Sequence, residues 1–145
     1  MSSARRKQER LECLYADRKF GNTEEELNLP IISKFLNLEL KKTNKYFVFD
    51  FESDTVYVEL KSRRNAKAQY PTTIVGKNKL DYAETCGKDV FFFFKFTDGL
   101  YYWKYDKSMI GDKIKIARGG RRDRFRIEMK EYGYIPVELL LPIPQ

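Results

Sequence analysis

The sequence predicts a single α/β domain spanning residues 1–145. Three observations predict this class. Apolar residues recur at helical spacing near the N-terminus, aromatic and β-branched residues dominate two hairpin-like segments further along, and 42% of the residues are hydrophobic, which suffices for one core. The sequence shows no internal repeat, low-complexity tract or Pro/Gly/Ser-rich linker, so no domain boundary is predicted within it.

The N-terminal region predicts two helices, over residues 4–20 and 24–37. Gly21-Asn22-Thr23 is expected to separate them and to supply a cap, Asn22 or Thr23, for the second helix. Pro30 is expected to kink or split that helix because proline cannot donate a helical hydrogen bond. The apolar stripes comprise Leu11, Leu14 and Tyr15 in the first helix and Leu29, Ile32 and Leu36 in the second.

The later elements are predicted from turn residues and hydrophobic alternation. In order, they are a β-hairpin over 46–61, a polar basic loop over 62–73, a helix over 76–85, a second hairpin (90–96 with 100–105), strands over 113–117 and 125–130, and an apolar segment over 134–141. The aromatic residues of the second hairpin could stack on bases, but they are more typical of a core hairpin, which is the interpretation preferred here.

The first hairpin is predicted to carry chemistry on one face. With Ser53-Asp54 at the tip, Phe51 faces Val56, and Asp50 and Glu59 become diagonal neighbours, roughly 7–8 Å apart at the backbone. Their carboxylates can then converge on one ion. The apolar face comprises Phe47, Phe49, Phe51, Val56, Val58 and Leu60, and the opposite face comprises Asp50, Tyr57, Glu59 and Lys61.

Two carboxylates beside a lysine suit a Mg²⁺-dependent phosphodiesterase. Carboxylates hold a hard cation, the cation lowers the pKa of a bound water, and a lysine can orient that water or stabilise the negatively charged transition state. The alternative is an ordinary solvated polar face with a cross-strand ion pair. Glu-x-Lys occurs three times in the chain, but only Glu59-Leu60-Lys61 lies in a predicted strand with an aspartate on the same face.

Composition excludes several classes of enzyme and site. The chain has no histidine, so histidine-based triads, histidine-ligated zinc hydrolases and nucleases with an imidazole base are excluded. Its two cysteines, Cys13 and Cys86, lack metal-ligand spacing and favour an intracellular, reducing compartment. The longest apolar run, Val90 to Phe94, falls far short of the roughly 20 residues of a membrane span, so no membrane association is predicted.

The net charge of +7 is concentrated in two segments. Residues 60–80 hold six basic and no acidic side chains, and residues 107–130 hold nine basic and three acidic ones. This pattern favours a nucleic-acid partner, although a solvated basic face or a flexible Arg/Gly loop would look the same. The candidate nucleic-acid contacts are Arg63, Arg64, Lys77, Lys79, Arg118, Arg121, Arg122 and Arg124.

Phe49-Asp50 followed by Glu59-Leu60-Lys61 resembles the signature of the PD-(D/E)xK nuclease superfamily, although the usual proline before the aspartate is Phe49 here. The resemblance covers about residues 21–96. It implies a restriction-endonuclease-like αβββαβ core, with a mixed central sheet flanked by helices, to which this chain adds C-terminal strands. It also implies that Asp50, Glu59 and the Leu60 carbonyl bind Mg²⁺, with Mn²⁺ as a substitute, and that Lys61 assists the attacking water.

The first helix of such nucleases often contributes a further glutamate. Helical arithmetic aligns Glu25 with the stripe that faces the sheet, so the resemblance makes Glu25 an additional catalytic and metal-binding candidate. A dipole role for the whole acidic turn, residues 24–26, at a helix N-terminus is the alternative.

Longer segments, such as Tyr70 to Lys79 and Tyr134 to Pro136, are similar to small proteins of large nucleocytoplasmic DNA viruses. The resemblances together imply an endonuclease that cuts DNA in preference to RNA, placed in the host cytoplasm, virus factory or nucleus, and a homodimer if both strands are cut. The alternative is a catalytically silent nucleic-acid-binding or host-interaction module on the same fold.

Overall fold

The computed structural model of the chain describes residues 3–119 and 130–144. Within these residues the chain forms two α-helices and nine strands. The helices are α1 (Ser3–Leu36) and α2 (Lys77–Thr85). The strands are β1 (Lys41–Lys42), β2 (Phe51–Glu52), β3 (Val56–Ser62), β4 (Thr72–Gly76), β5 (Asp89–Phe96), β6 (Gly99–Lys104), β7 (Lys115–Gly119), β8 (Lys130–Pro136) and β9 (Leu141–Pro142).

Helix α1 is continuous, so the prediction of two helices separated at residues 21–23 was wrong. The hydroxyl of Thr23 donates to the carbonyl of Lys19 at 2.9 Å and therefore bonds back into the helix instead of capping a new one. Pro30 lies inside α1 at an exposed position, and the helix is not split there. The helix ends at Leu36, and the next residue, Asn37, has a left-handed φ of 55°.

The larger sheet has six strands in the order β1-β2-β3-β5-β6-β9. Strands β3 and β5 are parallel, and the other neighbours are antiparallel. The second hairpin is confirmed as β5 and β6, and Phe92, Phe93 and Phe94 are at most 1% exposed, so its aromatic block forms core. The sheet is mixed, as predicted, and the two helices make the chain an α/β protein.

A second, antiparallel sheet has the order β4-β8-β7. Strand β4 was not predicted, and it stands between β3 and α2 in the chain. The predicted helix after it is confirmed as α2, which begins directly where β4 ends. The strand expected over 113–117 is found two residues later as β7. The strand expected over 125–130 lies outside the described residues except for Lys130, which begins β8 instead.

The two faces of the larger sheet pack against different layers. On one face, Val58 and Leu60 of β3 join Phe51 and Ile32 of α1 in an apolar cluster. On the other face, a second cluster brings together residues of α2, both sheets and the segment before β2, among them Phe49, Val75, Leu80, Phe92 and Ile135. The functional candidates of β3 lie on this second face.

The predicted apolar face of the first hairpin was partly wrong. Phe47 and Phe49 pack in the second cluster, whereas Phe51 packs beneath α1. The reason is that residues 45–50 form turns and bends rather than strand, so the alternation of period two does not extend across them. Within residues 3–119 and 130–144, no helix is both long and apolar enough to cross a bilayer.

Candidate active site

The first hairpin pairs in a register two residues away from the predicted one. Phe51 faces Val58 rather than Val56. The N–H of Ser53 donates to the carbonyl of Val56 at 2.8 Å, and the hydroxyl of Ser53 accepts the N–H of Val56 at 3.1 Å, so the tip moves to Asp54-Thr55. Because the shift is even, each strand residue keeps its face.

Asp50 lies where the chain enters β2, and four hydrogen bonds fix its position. Its N–H donates to the carbonyl of Val58 at 3.0 Å, and its Oδ2 accepts the N–H of Leu60 at 2.7 Å. The N–H and hydroxyl of Thr43 both donate to its carbonyl at 3.0 Å. Asp50 is therefore tied to both chain neighbours of Glu59.

Glu59 is the most deeply buried charged side chain of the site, at 1% exposure. Its Oε2 contacts the ammonium of Lys79 and lies 3.7 Å from that of Lys61. Its Oε1 has no hydrogen-bond partner among the described residues. A solvated polar face, the alternative considered above, does not describe this carboxylate.

The pKa of Glu59 is raised from 4.5 to about 8. Burial is the largest cause and the negative charge of Asp50 adds to it, while the charges of Lys61 and Lys79 act in the opposite direction. Burial also lowers the pKa of the Lys61 ammonium, while the charge of Glu59 opposes that change. Carboxylates and lysines whose pKa values are displaced in this way are frequent at functional sites, and they also occur in structural ion-pair networks.

Lys61 lies between two clefts that open on either side of the end of β3. A cleft of about 650 Å³ is lined by residues of α1 and β3, including Glu25, Asp50, Lys61 and Arg64. A second cleft of about 590 Å³ is bounded by α2 and β8, and its lining includes Lys61, Lys77, Lys79 and Lys130. Lys61, Arg63 and Ile74 line both clefts, so the two clefts adjoin near the end of β3.

Glu25 faces the first cleft from the middle of α1. Its Oε2 lies 3.8 Å from the ammonium of Lys42, and its side chain is 24% exposed. The alternative dipole role for residues 24–26 was wrong, because α1 begins at Ser3 and these glutamates lie far from its N-terminus. Glu25 and Asp50 line the same cleft, and the role of Glu25 as a metal ligand stays a prediction.

Two of the arginines predicted to contact nucleic acid already have protein partners. Arg63 donates through Nη2 to the carbonyl of Ile74 at 2.9 Å. Arg64 donates through Nη1 to Asp17 at 3.0 Å, and its guanidinium lies 4.5 Å from the ring centroid of Phe20. Both still line the cleft of about 650 Å³.

The remaining predicted contacts are distributed over two elements. Lys77 is exposed and pairs with Asp81 at 2.9 Å on α2. Arg118 is exposed on β7, where its register partner is Glu131. Three further arginines lie outside the described residues: Arg121, Arg122 and Arg124.

The contact between Lys79 and Glu59 was not predicted. Lys79 was expected to touch substrate phosphate or to be solvated, but its ammonium contacts the buried carboxylate instead. The strand signal was missed, because residues 62–73 were interpreted as a loop although Thr72 to Val75 are four consecutive β-branched residues, which favour a strand. Without β4, the chain gives no indication that the first turn of α2 lies over the middle of β3.

The acidic side chains near Lys61 offer two carboxylates to a hard cation, fewer than a complete set of protein ligands. Within the described residues, no group of three or more Asp, Glu or Cys side chains is gathered closely enough to hold a metal by itself. Asp50 and Glu59 nevertheless provide two carboxylates, and Oε1 of Glu59 is a buried oxygen without a partner. Mg²⁺ typically uses one or two carboxylates together with waters and substrate phosphate, so the donor set fits this cation.

An α/β fold with a mixed sheet, and with an aspartate and a Glu-x-Lys strand brought together on one face, is the arrangement expected of a PD-(D/E)xK nuclease. Residues 15–142 match the model of a family described as "Phage putative PDDEXK endonuclease". The chain belongs to this family, which confirms the resemblance to the PD-(D/E)xK superfamily and is consistent with the viral one. No curated protein and no solved structure matches the chain.

Proposed function

We propose that the protein is a metal-dependent endonuclease that cuts DNA in preference to RNA, with Asp50, Glu59 and Lys61 in its active site. The observation that carries this proposal is the state of Glu59, a carboxylate at 1% exposure whose Oε1 has no partner. Burying a carboxylate is costly, and a buried oxygen left without a partner calls for an explanation such as an ion. The family assignment supports nuclease chemistry as that explanation.

Under this proposal, Asp50 and Glu59 hold Mg²⁺, or Mn²⁺ in its place. The carbonyl of Leu60 is a third candidate ligand. Its N–H points to Asp50, and the N–H and C=O of one strand residue point to the same side. Glu25 reaches the same cleft from α1 and would act as a further ligand, directly or through a water. When bound, the cation would lower the pKa of a coordinated water and neutralise charge that develops on the phosphate.

Lys61 would act on the water or the phosphate rather than on the metal. Its ammonium lies at the junction of the two clefts and 3.7 Å from Oε2 of Glu59. From there a lysine can orient a water beside the carboxylates or stabilise the oxyanions of the transition state as a point charge. Arg63, Arg64 and Lys77 line the same clefts and would contact neighbouring phosphates.

Cleavage assays with a titrated divalent cation test the proposal. Plasmid, single-stranded, branched and RNA substrates are incubated with Mg²⁺ or Mn²⁺, and Asp50→Ala and Lys61→Ala are compared with the native chain. We expect metal-dependent cleavage of DNA that both substitutions abolish. Cleavage that persists in either variant would contradict the assigned site.

The second candidate is a nucleic-acid-binding module without turnover. One observation favours it: three basic side chains of the site, Arg63, Arg64 and Lys79, already contact other groups of the protein. Salt-sensitive DNA binding without cleavage, unchanged in Asp50→Ala, would support this candidate over the enzyme.

A further inference from the structure

Lys79 occupies the position in which a cation would meet Glu59. It belongs to the first turn of α2, and its side chain is 20% exposed. Its ammonium contacts Oε2 of Glu59, closer than that of Lys61 at 3.7 Å. The ammonium thus supplies the nearest positive charge to the buried carboxylate.

Building on the function proposed above, we infer that Lys79 is a built-in competitor of the metal ion, which holds Glu59 in the metal-free protein and is displaced when the cation binds. Two positive charges on one carboxylate in a water-poor environment repel each other strongly. Oε1 of Glu59 is buried and has no hydrogen-bond partner among the described residues, so the cation would bind this oxygen and the ammonium of Lys79 on Oε2 would be expelled.

The fold provides a place for the expelled ammonium. Lys79 lines the cleft of about 590 Å³ between α2 and β8, together with Lys61, Lys77 and Lys130. A flexible four-carbon stem lets the ammonium leave Glu59 without moving α2. In the cleft it would join a basic lining suited to a phosphate backbone. Metal binding would thereby complete the substrate-binding surface.

Lys77 provides a matched control on the same helix turn. Its ammonium pairs with Asp81 at 2.9 Å on the exposed side of α2, and its side chain is 40% exposed. It lines the same cleft but does not contact Glu59. Any effect of bulk charge on metal binding should therefore appear in both lysines, whereas direct competition should involve only Lys79.

Amine labelling of the native chain followed by mass spectrometry measures the displacement directly. We expect labelling of Lys79 to be slow in a chelator and to rise severalfold with saturating Mn²⁺, while labelling of Lys77 stays constant. The rise should be absent in Asp50→Asn, in which the cation site is impaired. Unchanged labelling of Lys79 in native protein that has taken up Mn²⁺ at the Asp50 site would overturn the inference and leave the proposed function standing.

Calorimetric titration with Mg²⁺ provides the second measurement. At one fixed alkaline pH, Lys79→Met should tighten the Kd about tenfold. Lys107→Met, which removes an equal charge from an exposed pair with Glu84, should leave the Kd unchanged. An equal or weaker affinity in Lys79→Met would overturn the inference. If the native chain binds no metal but Lys79→Met does, competition is supported; if neither binds, both this inference and the proposed function fail.

Discussion

Val58 and Glu59 of β3 are equally buried, but the two faces of the strand on which they lie are built differently. Val58 is 0% exposed and Glu59 is 1% exposed, although they are adjacent in the chain. Val58 packs with Phe51 and Ile32 in a cluster of apolar side chains beneath α1. Glu59 lies on the opposite face, in contact with Lys79, close to Lys61 and near the charge of Asp50.

Burial on one face of β3 stabilises the fold, whereas burial on the other face destabilises it. Burial of apolar area on the α1 face favours folding by roughly 25 cal/mol per Å². Burial of a carboxylate on the other face opposes folding, and its lysine partners offset that cost only in part, since the pKa of Glu59 is still raised to about 8. A costly group retained at the centre of a sheet is typical of a functional residue.

The largest effect is expected from placing a charge on the apolar face. Val58→Glu would bury a carboxylate with no lysine beside it, and we expect a loss of more than about 4 kcal/mol, enough to unfold most of the protein. Urea denaturation measures the loss, with Val58→Ala as the control at about 2 kcal/mol. A stable Val58→Glu protein would show that the two faces do not differ as described.

A pH-dependent effect is expected from removing the charge on the other face. Because the pKa of Glu59 is about 8 in the folded chain and 4.5 ordinarily, the folded state holds a proton that the unfolded state has lost between these values. The free energy of unfolding should therefore fall as pH rises from about 5 to about 8, by at most roughly 1.4 kcal/mol per pH unit from this group. Lys61 acts with the opposite sign at higher pH, since its pKa is lowered.

Glu59→Gln should remove this slope in chelator and make the protein more stable than the native chain at about pH 8. Urea denaturation at several pH values measures both quantities. An identical slope in the native chain and in Glu59→Gln would mean that Glu59 does not cause the pH dependence of the free energy of unfolding.

A smaller effect is expected at Asp50, where charge and hydrogen bonding can be separated. Asp50→Ala leaves the N–H of Leu60 without its acceptor and should cost about 1–3 kcal/mol in the metal-free protein. Asp50→Asn keeps a side-chain oxygen for that N–H, so its stability should stay closer to that of the native chain. Equal losses in the two variants would assign the effect to something other than this hydrogen bond.

The smallest effect is expected in the N-terminal half of α1. Leu11 is 53% exposed and belongs to neither apolar cluster, so Leu11→Ser should change the free energy of unfolding by no more than about 0.5 kcal/mol. Thermal denaturation measures this change. A loss comparable to that at Val58 would reveal packing of this half that the described residues do not include.

The second hairpin and α2 were predicted because clear turn residues mark their bounds. Thr97-Asp98-Gly99 forms the turn of the hairpin, and Cys86-Gly87 follows the end of α2. The prediction that Asp50 lies beside Glu59 rested on hydrophobic alternation, but in the structure Asp50 precedes β2 and is held there by the N–H of Leu60. The register was predicted wrongly because hydrophobic alternation does not show which residues form the turn. In the structure, the hydroxyl of Ser53 accepts the N–H of Val56 within the turn.

Two features of the site depend on contacts between distant segments and were not predicted. Glu59 is buried on the face of the sheet that is covered from the side of α2, and β4, which leads into α2, was interpreted as part of a loop despite its β-branched residues. Lys79 reaches Glu59 for the same reason. The continuity of α1 through Gly21 and Pro30 was also missed, because local propensity favoured a break there.

A crystal structure of the protein with Mn²⁺, checked with anomalous scattering from the metal, would show which side chains hold the cation. We expect an anomalous peak within bonding distance of the carboxylates of Asp50 and Glu59, with the ammonium of Lys79 moved away from Glu59. A peak at another site in protein that cleaves DNA, or a loaded protein in which Glu59 has no metal contact, would contradict this expectation.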